Sequence, residues 1–209
     1  MKVLIVLAGN PPDEALLEWR VDEADFVIAA DGGMKPLLHA GIQPDLLVGD
    51  FDSFNPATSG SLSCKVVLEE DQASTDLEKA LRHLPEDEAT DAIVLLGATG
   101  GRSDHFLSNL LVVSGLPDEI DVVLDSLDEF IRRVTPVRPA TLLGVCGQII
   151  SLVPMVSCEG VTTSGLKWEL KKSAMGVGKT LGQSNEAVSD EARIDLREGV
   201  LFVITPKVG

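Results

Sequence analysis

Short apolar runs in roughly the first 115 residues end, one after another, on an acid or a glycine, and helical patterns lie between them. The runs are Val3-Leu4-Ile5-Val6-Leu7, Phe26-Val27-Ile28-Ala29-Ala30, Leu46-Leu47-Val48, Val66-Val67-Leu68 and residues 92–96. Residues 14–20, 34–40, 75–84 and 104–114 carry the helical patterns; Gly41, Pro85 and Gly115 stop the last three. Strand and helix in alternation define a mostly parallel sheet covered on both faces. In such open α/β sheets, ligands bind outside the carboxyl ends of the strands. Those ends hold Asp31-Gly32-Gly33, Gly49-Asp50-Phe51-Asp52-Ser53 and residues 97–104, so chemistry is expected there.

After Pro117 the texture changes. Residues 122–124, 129–134, 148–153, 160–163, 167–170 and 200–204 are strand-like runs separated by Gly, Pro, Asp and Ser, with no long helical pattern. Short strands at this spacing predict a sandwich or small barrel. The fold class is therefore α/β: an N-terminal, mostly parallel α/β sheet domain (residues 1–118), followed by a C-terminal all-β domain, sandwich or small barrel (residues 119–209).

Composition narrows the function. The net charge of −16 disfavours nucleic acid, whose phosphates call for Lys and Arg, but not a nucleotide approached through a divalent cation. No apolar run nears the ~20 residues of a membrane span. The run at residues 3–8 reads as a buried first strand, since Asn10-Pro11-Pro12-Asp13-Glu14 is no small-residue cleavage site; the expected compartment is the cytoplasm. Cys64, Cys146 and Cys158 are odd in number and far apart, which fits buried thiols rather than a disulfide frame or a zinc site.

Asp50 and Asp52 stand at i and i+2. In an extended segment they point to one side, and two carboxylates on one side call for a cation or proton between them. Mg²⁺ takes one or two carboxylates, keeps waters and binds substrate phosphates, so it suits this pair. The alternative is a polar turn closed by backbone hydrogen bonds to Asp or Ser. Thr75 and Glu78 form a capping-box pattern, which makes Asp76 a first-turn acid, a member of the metal shell, or both. The glycine-rich stretch 97–101 before a helix lets backbone approach a phosphate, though no Gly-Lys-Ser/Thr follows it. Arg102 is suited to phosphate, Asp104 to an N-cap or a ligand, and His105 to packing or catalysis. Trp168, in a glycine-flanked run, is either core or an aromatic face for a cationic heterocycle; Ser184-Asn185 by itself reads as an ordinary loop.

Taken in order, these segments resemble the thiamine pyrophosphokinase (thiamine diphosphokinase) family. The resemblance rests on Ala30-Asp31-Gly32-Gly33, on Pro44-Asp45 leading to Gly49-Asp50-Phe51-Asp52-Ser53, and on Ser74-Thr75-Asp76-Leu77-Glu78-Lys79-Ala80-Leu81. It continues in Gly100-Gly101-Arg102-Ser103-Asp104-His105, Gly160-Val161-Thr162, Gly165-Leu166-Lys167-Trp168 and Ser184-Asn185-Glu186. Met34-Lys35 departs from the family pattern, and residues 171–181 do not align. The resemblance implies pyrophosphoryl transfer from Mg-ATP to thiamine, a catalytic α/β domain and a thiamine-binding sandwich, and a homodimer with sites between subunits. By motif, Asp50, Asp52 and Asp76 would hold Mg²⁺ and the phosphates, with Asp31 in support. Gly32, Gly100, Gly101, Arg102, Asp104 and His105 would lie along ATP. Trp168, Ser184 and Asn185 would line the thiamine pocket, and Gln72 falls where the family carries a polar site residue. Transfer to another heterocyclic alcohol, such as a hydroxymethylpterin, and passive binding of a nucleotide or thiamine are the competing readings.

Overall fold

The computed structural model describes residues 1–58 and 62–207. The chain divides into two compact units, Met1–Val112 with Leu124–Leu127, and Val113–Val123 with the chain from Asp128 onward.

The first unit is built on β1 (Lys2–Val6), β2 (Phe26–Ala30), β3 (Leu46–Gly49), β4 (Lys65–Leu68) and β5 (Ala92–Leu96). They pair in parallel in the order β5-β1-β2-β3-β4. Val3 to Val6 are fully buried, as expected for a strand covered on both faces. Helices α1 (Glu14–Asp22) and α2 (Met34–His39) place Leu16, Leu17, Met34 and Leu37 against Leu4, Val6, Val27, Ala29 and Leu47. Helix α3 (Asp76–Arg82) packs on β2 and β3. Its buried Leu77 and Ala80 lie outside that cluster, so α3 covers the face where alternation turns Ile28. Local chemistry fixes the helix starts. Asp13 accepts from Leu16 N at 2.8 Å, and Thr75 and Glu78 form the reciprocal box read from sequence. The last helix, α4 (Ser103–Ser114), follows β5.

Strand β5 returns to the far side of β1 after β2, β3 and β4 have filled the other side. That reversal is a topological switch point, and the chain segments leaving β1 and β5 lie together there: Gly9 N donates to Gly97 O at 2.8 Å and Asn10 N to Thr99 O at 2.8 Å.

Strand β6 (Asp121–Asp125) precedes the strands of the second unit, which are β7 (Glu129–Val134), β8 (Ala140–Leu143), β9 (Ile149–Pro154), β10 (Cys158–Ser164), β11 (Ser173–Met175), β12 (Asn185–Glu186), β13 (Glu191–Asp195) and β14 (Leu201–Pro206). They run antiparallel in the orders β12-β9-β14-β7 and β11-β10-β13-β8. One core draws Ile150, Leu152, Leu201 and Val203 from the first set and Ala140, Val161, Met175, Ala192 and Ile194 from the second, which is the packing of a β-sandwich. The fold is thus α/β with an all-β sandwich, as the sequence implied. Buried Arg133 on β7 donates to the carbonyls of Leu116, Pro117 and Ile120, just past the end of α4.

Three local expectations change. Residues 167–170 are not a strand: only Leu166 bridges, to Ala187, and the chain then turns. The strands Ala140–Leu143, Ser173–Met175, Asn185–Glu186 and Glu191–Asp195 add to those read from sequence. Of the thiols, Cys158 is buried and Cys64 half-buried, but Cys146 is exposed. No helix among the described residues is long and apolar enough to cross a membrane.

The double glycine after Asp31 has a steric cause. A Cβ on Gly33 would lie 1.9 Å from the carbonyl oxygen of Val6, in the middle of the sheet. Gly33→Ala is expected to destabilise the protein by about 3 kcal/mol, seen as a lower urea midpoint with an unchanged slope.

Candidate active site

Asp31 follows β2, and Asp50 and Asp52 follow β3. The segment between the latter two is not extended. Phe51 takes a left-handed φ of 61°, and Asp52 N donates to Asp50 Oδ1 at 3.3 Å. A turn, rather than the alternation of a strand, brings the two carboxylates to one side. Asp31 is also left-handed, at φ 41°. Gly49 makes room for it, since a Cβ there would sit 2.8 Å from the Asp31 Cβ. As a result, one ligand atom each from Asp31, Asp50 and Asp52 lies within 4.8 Å of the others.

Hydrogen bonds fix this trio. Ser53 N donates to Asp31 Oδ2 at 3.2 Å, and Ser53 Oγ to Asp52 Oδ1 at 2.8 Å. Asp50 Oδ2 receives Lys79 Nζ at 2.9 Å and Gln72 Nε2 at 2.9 Å. Asp31 is 1% exposed, and its Oδ1 is a buried oxygen without a hydrogen-bond partner. Asp76 is not part of the trio; it faces Lys79 Nζ across 3.6 Å.

Electrostatics follow from burial and neighbours. Burial pushes the Asp31 carboxyl up, and the charge of Asp52 adds to that, against hydrogen bonds from Ser53 and Gly32. Asp76 rises through burial, then through the charges of Asp31, Asp50 and Asp52, with Lys79 opposing. The hydrogen bond from Lys79 holds Asp50 below the usual carboxylate range. Burial pulls the Lys79 ammonium down, but the hydrogen bond and charge of Asp50, with Asp76, outweigh it and leave Lys79 above the ordinary lysine value.

Three of the acids border a cleft of about 600 Å³ at the switch point, and the buried Asp31 is not among its lining residues. Asp50, Asp52 and Asp76 line it, with Lys79, Gly100, Gly101, Arg102 and His105. Asn109 on α4 donates to Ala98 O at 2.9 Å and ties the glycine loop to the helix. Arg102 is exposed and grips Asp104 at 2.6 Å, which draws the Asp104 carboxyl down to about 2. Asp104 is a first-turn acid of α4 that accepts from His105 N at 3.1 Å. Gly32 is buried beside Ala8 and Ser53 and is not among the cleft's lining residues.

In the second unit Trp168 is 59% exposed, with the Lys167 ammonium 5.1 Å from its ring centroid. Asn185 is buried and pins the turn: its Oδ1 accepts from Trp168 N at 3.1 Å and its Nδ2 donates to Trp168 O at 2.9 Å. Ser184 is exposed, left-handed at φ 53°, and donates from its backbone to Ser151 Oγ at 3.0 Å. Asn185 therefore sets the position of Trp168, a task the sequence does not reveal.

The sequence singled out neither Lys79 nor Asn109, and it offered Ser53 only as part of a polar turn. For Lys79 a signal existed: it stands three residues after Asp76, on the same side of α3.

Acids, a glycine loop and a cation at the switch point of an α/β sheet, followed in the chain by a β-sandwich, define an enzyme of two specialised parts, and both parts match one family. Residues 17–124 match the thiamin pyrophosphokinase catalytic domain, and residues 138–201 the thiamin pyrophosphokinase vitamin B1 binding domain. Thiamine pyrophosphokinase of Bacillus subtilis (strain 168) is 30% identical over 214 residues, covering 98% of each chain. Thiamine pyrophosphokinase 1 of Oryza sativa subsp. japonica is 30% identical over 97% of this chain and 86% of that one. A crystal structure of the Bacillus subtilis thiamine pyrophosphokinase superposes with a TM-score of 0.81 at 27% identity over 99% of both chains. The chain belongs to the thiamine pyrophosphokinase family.

Proposed function

We propose that this chain transfers the pyrophosphoryl group of ATP to the hydroxyl of thiamine, giving thiamine diphosphate and AMP. The hydroxyl oxygen bonds to the β-phosphorus, the bond from that phosphorus to the α–β bridging oxygen breaks in line with it, and the hydroxyl proton passes to a carboxylate. The observation that carries this reading is the acid trio with a partnerless buried oxygen beside a glycine-loop cleft, in a chain that matches both the catalytic and the B1-binding domain of the family.

The cluster fits Mg²⁺. Hard oxygens converge, three like charges call for a counter-ion, and Asp31 Oδ1 has no other partner. Asp50, Asp52 and Asp31 would hold the ion, with Asp76 at the margin. Bound there, Mg²⁺ supplies charge compensation to the phosphate oxygens. The protein's own groups do the rest. Backbone at Gly100 and Gly101 lies along the phosphates, and Arg102, once freed from Asp104, adds a planar fork of donors. Asp76 lines the cleft, and we assign it the hydroxyl proton, because Asp50 has an oxygen committed to Lys79 and Gln72.

In this reading residues 1–118 serve ATP and metal, and residues 119–209 serve thiamine. Trp168 offers its face to the cationic ring, with Ser184 and Asn185 beside it, and a cytoplasmic homodimer completes each site with the other subunit's sandwich. Asn185→Ala leaves the Trp168 turn without its clamp, so KM for thiamine is expected to rise about tenfold while KM for ATP stays unchanged in steady-state kinetics.

The function is tested by incubating the protein with Mg-ATP and thiamine, or with a hydroxymethylpterin, and identifying products by chromatography. AMP and thiamine diphosphate are expected in the thiamine arm alone. Product only with the pterin would move the acceptor, and binding without product would leave a passive binder.

A further inference from the structure

We infer that the two donors on Asp50 Oδ2 leave that carboxylate a single oxygen for a cation, so that Lys79 and Gln72 make the site select a small octahedral ion over Ca²⁺. The inference rests on the metal reading above.

Each acid has one oxygen in a hydrogen bond, but only on Asp50 is an oxygen filled by two donors. Asp31 Oδ2 accepts from Ser53 N, leaving the buried, partnerless Oδ1. Asp52 Oδ1 accepts from Ser53 Oγ at 2.8 Å. Asp50 is held most firmly: its Oδ2 takes two donors at 2.9 Å, while its Oδ1 takes only the long 3.3 Å contact from Asp52 N. The partnerless oxygen of Asp31, 1% exposed, is what marks this as a ligand site rather than a patch of surface acids.

The two ions ask for different things. Ca²⁺ takes six to eight oxygens and uses carboxylates in bidentate fashion, whereas Mg²⁺ keeps a tight octahedron of single oxygens and waters. For Asp50 to bind with both oxygens, Oδ2 must leave the Lys79 ammonium, whose side chain is 2% exposed. That cation would keep only Asp76, at 3.6 Å, and a buried ammonium stripped of its hydrogen bond is costly. A bidentate mode at Asp50 is therefore penalised, and Ca²⁺ loses more by this than Mg²⁺ does.

The test is calorimetric titration of the full chain, without nucleotide or thiamine, using Mg²⁺, Mn²⁺ and Ca²⁺ in turn. Comparing two divalent ions cancels the change in net charge that a lysine variant brings. The parent is expected to prefer Mg²⁺ and Mn²⁺. Lys79→Met is expected to shift the Mg²⁺/Ca²⁺ affinity ratio towards Ca²⁺ by about tenfold, and Gln72→Leu in the same direction by less. Gln72 is exposed, so its variant decides the matter if Lys79→Met fails to fold. An unchanged ratio in the folded variants, with metal still bound, would overturn the inference and leave the metal reading standing. Asp52→Asn separates the two: if it binds each ion as the parent does, the ions lie elsewhere and the metal reading falls, taking the inference with it.

Discussion

Asp52→Ala is expected to lower kcat by about a thousandfold or more while leaving the fold intact. Asp52 is exposed, and besides its place in the trio its carboxylate has a single role, as acceptor for Ser53 Oγ. Removing it therefore costs little stability. It does take away one of three converging oxygens, and with it part of the charge that would hold a cation against the phosphates. The measurement is kcat at saturating Mg-ATP and thiamine, beside a thermal melt. Activity retained at saturating Mg²⁺ with an unchanged melt would remove Asp52 from the metal site.

Arg133→Met should have the largest effect on stability, about 3–5 kcal/mol. The guanidinium is 1% exposed and satisfies the carbonyls of Leu116, Pro117 and Ile120, with Asp118 at 3.5 Å. Methionine fills much of the same volume, so the cost is not a cavity. It is three carbonyls losing their donor where the chain leaves α4, in a segment whose own backbone bonds are the single turns Leu116 N to Val113 O and Ile120 N to Pro117 O. Urea unfolding should show the midpoint falling, and hydrogen exchange should show residues 115–120 losing protection first. An unchanged midpoint would mean that water replaces the guanidinium.

How much of this the sequence disclosed depended on whether local chemistry or tertiary contact set each feature. Val3 to Val6 are legible because a strand buried on both faces must be apolar throughout. The start of α3 is legible because Thr75 and Glu78 satisfy each other's backbone. The second half is harder. β12 is two residues long, and β13, Glu191-Ala192-Arg193-Ile194-Asp195, buries only Ala192 and Ile194, so charged residues mask a true alternation. Lys167 to Leu170 look like a strand but turn, because buried Asn185, 17 residues further on from Trp168, holds both backbone groups of that tryptophan.

The site divides in the same way. The acids after β2 and β3 were visible as a set, because strand ends are where such sheets bind ligands. Their geometry was not. It depends on left-handed backbone at Asp31 and Phe51, which aspartate adopts only now and then and phenylalanine rarely, so no local pattern marks either position. Lys79 was hidden for a different reason. A lysine on a short helix reads as solvated, and only the packing of α3 on β2 and β3 turns it inward onto Asp50.

The most direct test follows the three phosphorus atoms of ATP by ³¹P NMR during turnover with thiamine. Pyrophosphoryl transfer predicts that the β and γ resonances move together into thiamine diphosphate and the α resonance becomes AMP. Movement of the γ resonance alone, with ADP accumulating, would contradict it.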